Sequence, residues 1–299
     1  MQERALAGRR IGIFGKGGSG KTTVTVFLAR ALREHGYPVV VLDADSTNLG
    51  LAAAMGAEPE PAPLLDHFGG MVFSGGAVTC PVDDPTPLEG GEISLGDLAP
   101  EFVGETQEGI RLLVAGKLGV LGPGAGCDGP IVKIARDLRV TDQGPDLVTL
   151  VDFKAGFEDA ARGAVTSVDW AMAVVDPTTA AIGMAGHLAN IIARIQEGVP
   201  PATAHLGGGG LAEVAVRIYR EARVRGALAV LSRMPEPEAE SYVRTALEDC
   251  GIPVLGVFPD HWAIQGQWLR GQALRSTRLA GAAREVAREL EALVAGVAP

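Results

Sequence analysis

A short glycine-rich segment has the residue types and spacing best suited to chemistry. It reads Gly15-Lys16-Gly17-Gly18-Ser19-Gly20-Lys21-Thr22 and matches the pattern G-x-x-x-x-G-K-[ST]. Glycines let backbone N–H groups approach phosphate oxygens closely, and the helix that follows adds the positive end of its dipole. In such a loop Lys21 reaches the β- and γ-phosphates, and the Thr22 hydroxyl binds Mg²⁺. We therefore expect a loop that binds a nucleoside triphosphate.

The same glycines also fit a second motif. Gly15, Gly17 and Gly20 have the G-x-G-x-x-G spacing of a dinucleotide site, and Asp43 lies roughly where its ribose-binding acid would be. That interpretation gives no role to the Lys-Thr pair after the last glycine, and it predicts no second acidic motif further along. We prefer the triphosphate interpretation because it explains both features.

Two motifs with carboxylates follow apolar runs that have the character of buried strands. The first covers residues 39–45 and ends in Asp43-Ala44-Asp45, and the second covers residues 147–156 and carries Asp152. Ligands bind at the carboxyl ends of parallel strands, so these carboxylates are expected beside the phosphates. Asp152 suits a carboxylate that holds Mg²⁺. Gly156, four residues later, permits the backbone to move toward the γ-phosphate.

Hydrophobic patterning predicts the elements that must position these groups. Short apolar runs alternate with amphipathic helical patterns, which is typical of a mostly parallel sheet covered by helices on both faces. Right-handed crossovers then give a doubly wound α/β fold. We predict strands at 10–14, 38–42, 110–114, 147–151, 170–175, 227–231 and 252–258, and helices at 22–35, 130–139, 178–196, 211–225, 236–250 and 276–296.

Composition excludes several classes of protein. Glycine occurs 41 times in 299 residues, about twice its usual share. A hydrophobic fraction of 47% nevertheless excludes a disordered chain, and the absence of a G-x-y period excludes a collagen-like one. The net charge of −10 argues against nucleic acid or an anionic membrane as partner. We predict one domain over 1–299, with insertions at about 59–109 and 199–210, where the alternation stops.

The sequence predicts a cytoplasmic protein. Cys80, Cys127 and Cys250 are too sparse for a disulfide framework and fit a reducing compartment. The apolar run at 11–14 is too short for a signal peptide, and no window reaches 18 uncharged apolar residues. The five histidines share no metal-ligand spacing, so we expect them to be structural or exposed.

Lys16 gives the loop a resemblance to a known family. The order Gly-Lys-Gly-Gly-x-Gly-Lys-Thr resembles the deviant Walker A motif of the MinD/ParA/nitrogenase-iron-protein class of P-loop ATPases. The resemblance implies that Lys16 acts across a dimer interface on the partner's nucleotide, as an arginine finger would. It also implies that Asp45 orients the attacking water and that Asp43 assists the Mg²⁺ shell. The nucleotide contacts it implies are Gly15, Gly17, Gly18, Ser19, Gly20, Lys21, Thr22, Thr23 and Gly156.

Two further stretches resemble CooC-type ATPases, which are nickel-insertion accessory proteins for carbon monoxide dehydrogenase. One is Gly156-Phe157-Glu158 with Arg162-Gly163, and the other is residues 114–117 with residues 122–127. The family's Cys-x-Cys metal motif is incomplete here, because this chain has Ala125-Gly126-Cys127. A two-fold dimer would then offer two thiolates, whereas tetrahedral soft-metal sites use four ligands. A second metal at Cys127 and a free loop thiol both stay open as interpretations.

The base-binding segments resemble this family in part. Many relatives have Asn-Lys after the strand predicted at 227–231, whereas this chain has Ser232-Arg233. The Arg233 guanidinium has the planar shape to stack on a purine. Pro259-Asp260 resembles the family's loop beside adenine, so the resemblance implies ATP or ADP as ligand. We expect Trp262 and Trp268 to pack rather than to bind ligand.

Residues and resemblance together predict a Mg²⁺-dependent ATPase that forms a homodimer with ATP and serves a client protein, in metalloenzyme maturation or cargo delivery. Two alternatives stay open. A ParA/MinD-like positioning ATPase would bind DNA or lipid, but the helix at 276–296 lacks the basic, bulky face of a membrane-targeting helix. An iron–sulfur reductase of nitrogenase-iron-protein type would need more thiolates than Cys127 supplies, unless Cys80 joins it.

Overall fold

A computed structural model describes residues 4–118, 127–207 and 209–296. The strands in these ranges are β1 (Arg10–Gly15), β2 (Val39–Ala44), β3 (Glu92–Ile93), β4 (Gly104–Glu105), β5 (Arg111–Val114), β6 (Arg139–Val140), β7 (Val148–Phe153), β8 (Trp170–Val175), β9 (Gly226–Ser232) and β10 (Val254–Phe258). The helices are α1 (Lys21–Glu34), α2 (Leu51–Met55), α3 (Leu64–His67), α4 (Gly129–Asp137), α5 (Glu158–Ala161), α6 (Thr179–Gln196), α7 (Leu211–Arg220), α8 (Pro237–Glu248), α9 (Trp262–Leu269) and α10 (Thr277–Gly296).

Eight strands form one sheet in the order β10-β9-β8-β1-β7-β2-β5-β4. Neighbouring strands are parallel except at the edge, where β4 pairs antiparallel with β5. The carboxyl ends of β1, β7 and β2 therefore meet at the centre of one sheet edge, and these strands carry the glycine-rich loop and both acidic motifs. This arrangement confirms the predicted doubly wound, mostly parallel fold.

Helices cover both faces of the sheet, and an apolar cluster fills each interface. The first cluster includes residues of α4, α6 and α8, such as Ile134, Leu188 and Leu247. The second includes residues of α1 and α10, such as Leu28 and Leu290, and these two helices also pack against each other. The apolar face of α10 is thus used inside the fold. The helices in the described ranges are each too short or too polar to span a lipid bilayer.

The central strands extend further than their apolar runs. We predicted strands ending at Leu42 and Val151, but β2 and β7 continue for two residues beyond these positions. Asp43 and Asp152 lie opposite each other in the parallel register of β2 and β7. The backbone of each aspartate is therefore fixed by pairing between two central strands, whereas we expected it to follow the strand in a loop.

The segment 59–109 is folded onto the rest of the chain. It contributes β4 to the edge of the main sheet, and Met71, Ile93 and Phe102 join the apolar cluster that contains α4. The backbones of Glu58 and Glu105 also exchange two hydrogen bonds, 3.0 and 3.1 Å long. These contacts agree with an insertion in one domain, and the organisation of the whole chain 1–299 stays a prediction.

Candidate functional site

The glycine-rich loop joins β1 to α1 at the central edge of the sheet. A Cβ on Gly15 would lie 2.7 Å from Ser19 Oγ and 2.8 Å from the carbonyl oxygen of Val174, so no side chain fits there. Gly18 and Gly20 have φ angles of +77° and +96°, a region that favours glycine. The loop needs its glycines to wrap tightly in front of the helix, where backbone N–H groups can face phosphate oxygens.

Two buried polar atoms at this loop fit a bound nucleotide and metal ion. Among the described residues, Ser19 Oγ and Asp152 Oδ1 are buried and have no hydrogen-bond partner. A buried polar atom without a partner is costly, so each atom is suited to a ligand. The second carboxylate oxygen, Asp152 Oδ2, accepts a 2.8 Å hydrogen bond from the Thr22 hydroxyl. Hydroxyl and carboxylate oxygens are ligands that Mg²⁺ prefers, so Thr22 and Asp152 fit the predicted metal site.

The segment after β2 folds over Thr22. The side-chain amide of Asn48 donates to Thr22 Oγ1 over 2.9 Å. Asp45 Oδ1 accepts hydrogen bonds from Thr47, through its N–H and hydroxyl, and from the N–H of Asn48. The Asp45 carboxylate lines the cavity beside the loop and also orders this segment. Its action on a water molecule stays a prediction.

Lys117 holds Asp43 in place. Its Nζ donates to Asp43 Oδ2 and to the carbonyl oxygen of Asp45, both over 2.7 Å, and also to the carbonyl of Asn48. Burial, with repulsion from Asp152 and Asp45, raises the pKa of Asp43 to about 7, although Lys117 opposes this shift. Burial likewise raises the pKa of Asp152 to about 6. A divalent cation would offset this cost for both carboxylates, although the place of Asp43 in a metal shell stays a prediction.

Lys16 is bound by groups at the end of β8. Its Nζ, on a side chain that is 39% exposed, donates to Asp176 Oδ2 over 3.3 Å and to Thr178 Oγ1 over 3.4 Å. Arg233 also lies 3.5 Å from Asp176 Oδ2 and donates to the carbonyl of Gly18 in the loop. Asp176 therefore gathers two cations at the mouth of the loop, and Lys16 is exposed enough to reach outward.

The segment after β7 is tied to the start of α4 by two ion pairs on the buried Asp128. Asp128 accepts hydrogen bonds of 2.6 Å from Lys154 Nζ and from Arg162 NH1. Although burial opposes them, these two cations hold the pKa of Asp128 below its ordinary value. Gly156, with φ +104°, donates its N–H to the carbonyl of Gly15 over 3.0 Å. The segment thus contacts the phosphate loop at one end and α4 at the other.

Asp159 in this segment makes stability depend on pH. Burial and the nearby Asp128 raise its pKa from 3.8 to about 7, against the opposing charges of Arg162 and Lys154. Between pH 3.8 and about pH 7, Asp159 has lost its proton in the unfolded chain and keeps it in the folded chain. The free energy of unfolding therefore falls as pH rises through this range. Asp159→Asn should remove this slope and leave the protein more stable than wild type at pH 8. Urea unfolding of both proteins at pH 5 and pH 8 measures the effect. The same difference in unfolding free energy between Asp159→Asn and wild type at both pH values would contradict it.

Cys80 and Cys127 approach the same residue. Cys127 Sγ accepts a 3.4 Å hydrogen bond from the N–H of Gly129, and a Cβ on Gly129 would lie 2.5 Å from Cys80 Sγ. Gly129 is the first residue of α4, so both thiols lie near the helix start that the Asp128 network holds. No group of three His, Cys, Asp or Glu side chains in the described ranges is placed to hold a metal ion. The glycine-rich residues 119–126 before Cys127 lie outside those ranges.

A cavity of about 470 Å³ opens beside the loop. It is lined by predicted contact residues from both halves of the chain, including Gly17, Lys21, Thr23, Arg233, Pro259 and Asp260. Trp268 lines the cavity as well, so it packs and also faces the ligand space. The prediction that Trp262 packs was wrong, because its side chain is 82% exposed on α9. Apolar residues and glutamines are mixed around α9, so its sequence shows no stripe at helical spacing and we did not predict the helix.

Several residues that organise the site were missed as site residues. Asn48 follows β2 and Asp176 follows β8, and both are distant in sequence from the glycine-rich loop. No local pattern therefore indicated that they contact it. Lys117 follows β5, which lies beside β2 in the sheet. Strand order alone would have placed Lys117 at the site edge, but the order is set by tertiary packing.

Comparisons with known proteins agree with this geometry. The model of the CobQ/CobB/MinD/ParA nucleotide binding domain family matches residues 13–272. An uncharacterised ATP-binding protein of Methanocaldococcus jannaschii is 31% identical over 185 residues, covering 61% of this chain and 72% of the relative. The carbon monoxide dehydrogenase accessory protein CooC of Rhodospirillum rubrum is 30% identical over 184 residues, covering 60% of this chain and 67% of the relative.

A solved structure shares the fold over nearly the whole chain. It is the septum site-determining protein MinD of Pyrococcus horikoshii in complex with Mg-ADP, which superposes with a TM-score of 0.56 at 22% identity. The match covers 96% of this chain and 97% of that one. The family match spans both the phosphate loop and the two acidic strands. The chain therefore belongs to the CobQ/CobB/MinD/ParA nucleotide-binding domain family and is a P-loop ATPase of the MinD/ParA class.

Proposed function

We propose that this protein is a Mg²⁺-dependent ATPase that works as a nucleotide-switched homodimer in the maturation of a metalloenzyme. The observation that carries the proposal is the buried Asp128 network. It links the segment after β7, which contacts the glycine-rich loop through Gly156, to the start of α4 and to Cys127. A change at the phosphates is thereby passed to a surface that a client or a metal can contact. The similarity to CooC supports the choice of process.

The residues around the loop divide the work of hydrolysis. Lys21 and the loop amides bind the phosphates, and Thr22 with Asp152 holds Mg²⁺, which would stabilise the charge on the phosphate oxygens. Asp45 orients water for attack. Lys16 leaves Asp176 and extends to the nucleotide of the second subunit, where it neutralises charge in the transition state. The base occupies the cavity between Arg233 and Pro259.

Hydrolysis would change the dimer through the two segments that contact the loop. The N–H of Gly156 donates to the carbonyl of Gly15 over 3.0 Å, so a γ-phosphate would compete for this donor, and its loss would let the hydrogen bond form again. Movement of this backbone displaces Lys154 and Arg162, and both cations hold the buried Asp128. Because a buried carboxylate that loses its partners is costly, the start of α4 must move with them. ATP and ADP would thus give two arrangements of the surface that carries Cys127.

The dimer step is tested by sedimentation with Asp45→Asn, a variant that we expect to bind ATP and to hydrolyse it slowly. We expect a monomer with ADP and a stable dimer with ATP and Mg²⁺, and the dimer should not form when EDTA removes the metal. The client is then sought by purifying the Asp45→Asn protein from its own cells with ATP present. Recovery of a metalloenzyme or its apoprotein supports the proposal, and a monomer under every condition contradicts it.

The alternatives give different results in two further measurements. A positioning ATPase would pellet with DNA or lipid vesicles in an ATP-dependent way. An iron–sulfur reductase would be coloured and contain iron when it is prepared without oxygen, and Cys80→Ser with Cys127→Ser would remove the colour. A metal on Cys127 is not required by our proposal, and metal analysis of the wild-type and Cys127→Ser proteins measures it. A cytoplasmic location and one domain over 1–299 remain part of the proposal.

A further inference from the structure

Trp268 stands between the first turn of α1 and the segment after β2. Its indole N–H donates to Thr23 Oγ1 over 3.2 Å, and the side chain packs against the apolar cluster under α1 and α10. Thr23 directly follows Thr22, the predicted Mg²⁺ ligand. The indole is thus fixed to the residue beside the metal site, although it lies 245 residues away in the sequence.

The indole also contacts Gly50. A Cβ on Gly50 would lie 2.8 Å from Cζ3 of Trp268, so the ring rests directly on this backbone. The φ angle of Gly50 is −113°, which any residue can adopt. Glycine is therefore favoured here by the space that the indole takes, and an alanine would push the ring away from this backbone.

Gly50 is connected to the metal site through one side chain. The N–H of Gly50 donates to Asn48 Oδ1 over 3.0 Å, and the amide nitrogen of Asn48 donates to Thr22 Oγ1 over 2.9 Å. An indole that fixes Gly50 also fixes the direction of the Asn48 amide. The two contacts of Trp268 thereby hold both sides of the Thr22–Asn48 hydrogen bond.

We propose that Trp268 is a positioning residue for the Mg²⁺-nucleotide site: it holds the Asn48–Gly50 segment against the first turn of α1. This inference rests on the proposed function as a Mg²⁺-dependent ATPase. Trp268 does not need to touch the nucleotide for this role. It sets the geometry of Thr22, so it governs how much Mg²⁺ strengthens nucleotide binding, while binding without Mg²⁺ depends on the loop itself.

The test compares four variants of the full chain: Trp268→Ala, Trp268→Phe, Gly50→Ala and the double variant Gly50→Ala/Trp268→Ala. ATP affinity is measured with Mg²⁺ and with EDTA. Trp268→Ala and Gly50→Ala should each weaken binding with Mg²⁺ about tenfold. Gly50→Ala should leave binding in EDTA within about twofold, whereas Trp268→Ala, whose side chain lines the cavity, should lose less affinity in EDTA than with Mg²⁺. Trp268→Phe keeps the ring contact and loses the hydrogen bond to Thr23, so its loss should be intermediate. Trp262→Phe, on the exposed side of the same helix, is the matched control and should behave as wild type.

The double variant gives the sharpest result. Removal of the indole empties the space that the new methyl group needs, so Gly50→Ala should cost less than about twofold in the Trp268→Ala background. Full additivity of the two losses overturns the inference, and so does an equal loss with and without Mg²⁺. Unfolding curves identify any variant that does not fold. If Trp268→Ala does not fold, Trp268→Phe and Gly50→Ala still test the inference.

Fluorescence supplies a readout that a general loss of stability would not reproduce. In a Trp262→Phe background, Mg-ATP should change the tryptophan emission, and Trp268→Phe should abolish this change while Trp170 continues to emit. Wild-type protein that binds no ATP with Mg²⁺ would overturn the proposed function together with this inference. Normal wild-type binding with unchanged variants would overturn the role of Trp268 alone.

Discussion

Replacement of Lys16 by alanine is expected to lower ATP turnover about 100-fold while ATP affinity changes by less than about threefold. The Lys16 side chain is 39% exposed, and in a single chain its Nζ contacts Asp176 and Thr178. Its charge is engaged by Asp176, so we expect the nucleotide of its own subunit to bind without it. If Lys16 acts in the transition state of the partner, kcat falls and the dissociation constant for ATP does not. Steady-state kinetics and equilibrium binding separate the two quantities.

A mixture of two slow variants shows in which subunit Lys16 acts. In a mixed dimer of Lys16→Ala and Asp45→Asn, the site of the Lys16→Ala subunit keeps its own Asp45 and receives Lys16 from its partner. Equal mixing should restore about a quarter of wild-type turnover, because half of the dimers are mixed and each has one complete site. The control replaces the second variant by Lys16→Ala/Asp45→Asn, which has no lysine to supply. Equal rates in the two mixtures would contradict action across the interface.

Asp152→Asn should remove activity and stabilise the fold at the same time. Asp152 is fully buried, and burial raises its pKa from 3.8 to about 6, so the ionised carboxylate costs the folded state about 3 kcal/mol. An amide of the same shape does not carry this cost. It also cannot hold Mg²⁺ with Thr22, so turnover should fall about 10³-fold and the Mg²⁺ concentration for half-maximal rate should rise. Urea unfolding at pH 8 and a Mg²⁺ titration measure the two effects.

Asp128→Asn is the matched control for this stability gain. Asp128 is also buried, but two cations hold it at 2.6 Å, and the pKa of Asp128 lies below its ordinary value. Loss of the negative charge removes the carboxylate that Lys154 binds and leaves Arg162 with Asp159, 3.7 Å away, so this variant should lose about 2 kcal/mol. A loss of stability in both variants would contradict the role of Asp152 as an uncompensated, ligand-ready carboxylate.

Local patterns were sufficient to predict most of the fold. Buried strands such as β8 are continuous apolar runs, and α1 has an apolar stripe, so both can be recognised without knowledge of the rest of the chain. The short elements β3, β4 and β6 have two residues each, too few for any pattern. They form because neighbouring segments supply their hydrogen bonds and their core contacts. Helix α9 escaped prediction because apolar residues and glutamines are mixed around its circumference, which leaves no apolar stripe.

The sequence by itself determined the class of chemistry. Eight consecutive residues, Gly15 to Thr22, contain the glycines, the two lysines and the hydroxyl that a phosphate loop needs, because the loop is built from local backbone geometry. The two acidic motifs could also be predicted from local sequence, because each lies at the end of an apolar run. The resemblance in Lys16 then led to the MinD/ParA class, which the family match over residues 13–272 confirms.

The tertiary structure alone decided how these groups are coupled. Parallel pairing of β2 with β7 brings Asp43 opposite Asp152, and this register cannot be predicted from either motif. Asp128 meets Lys154 and Arg162, and Trp268 meets Thr23 and Gly50, across long stretches of chain. Such contacts depend on strand order and helix packing, which are global properties of the folded chain. For this reason the sequence predicted a nucleotide site, whereas the structure showed which distant side chains hold it in shape.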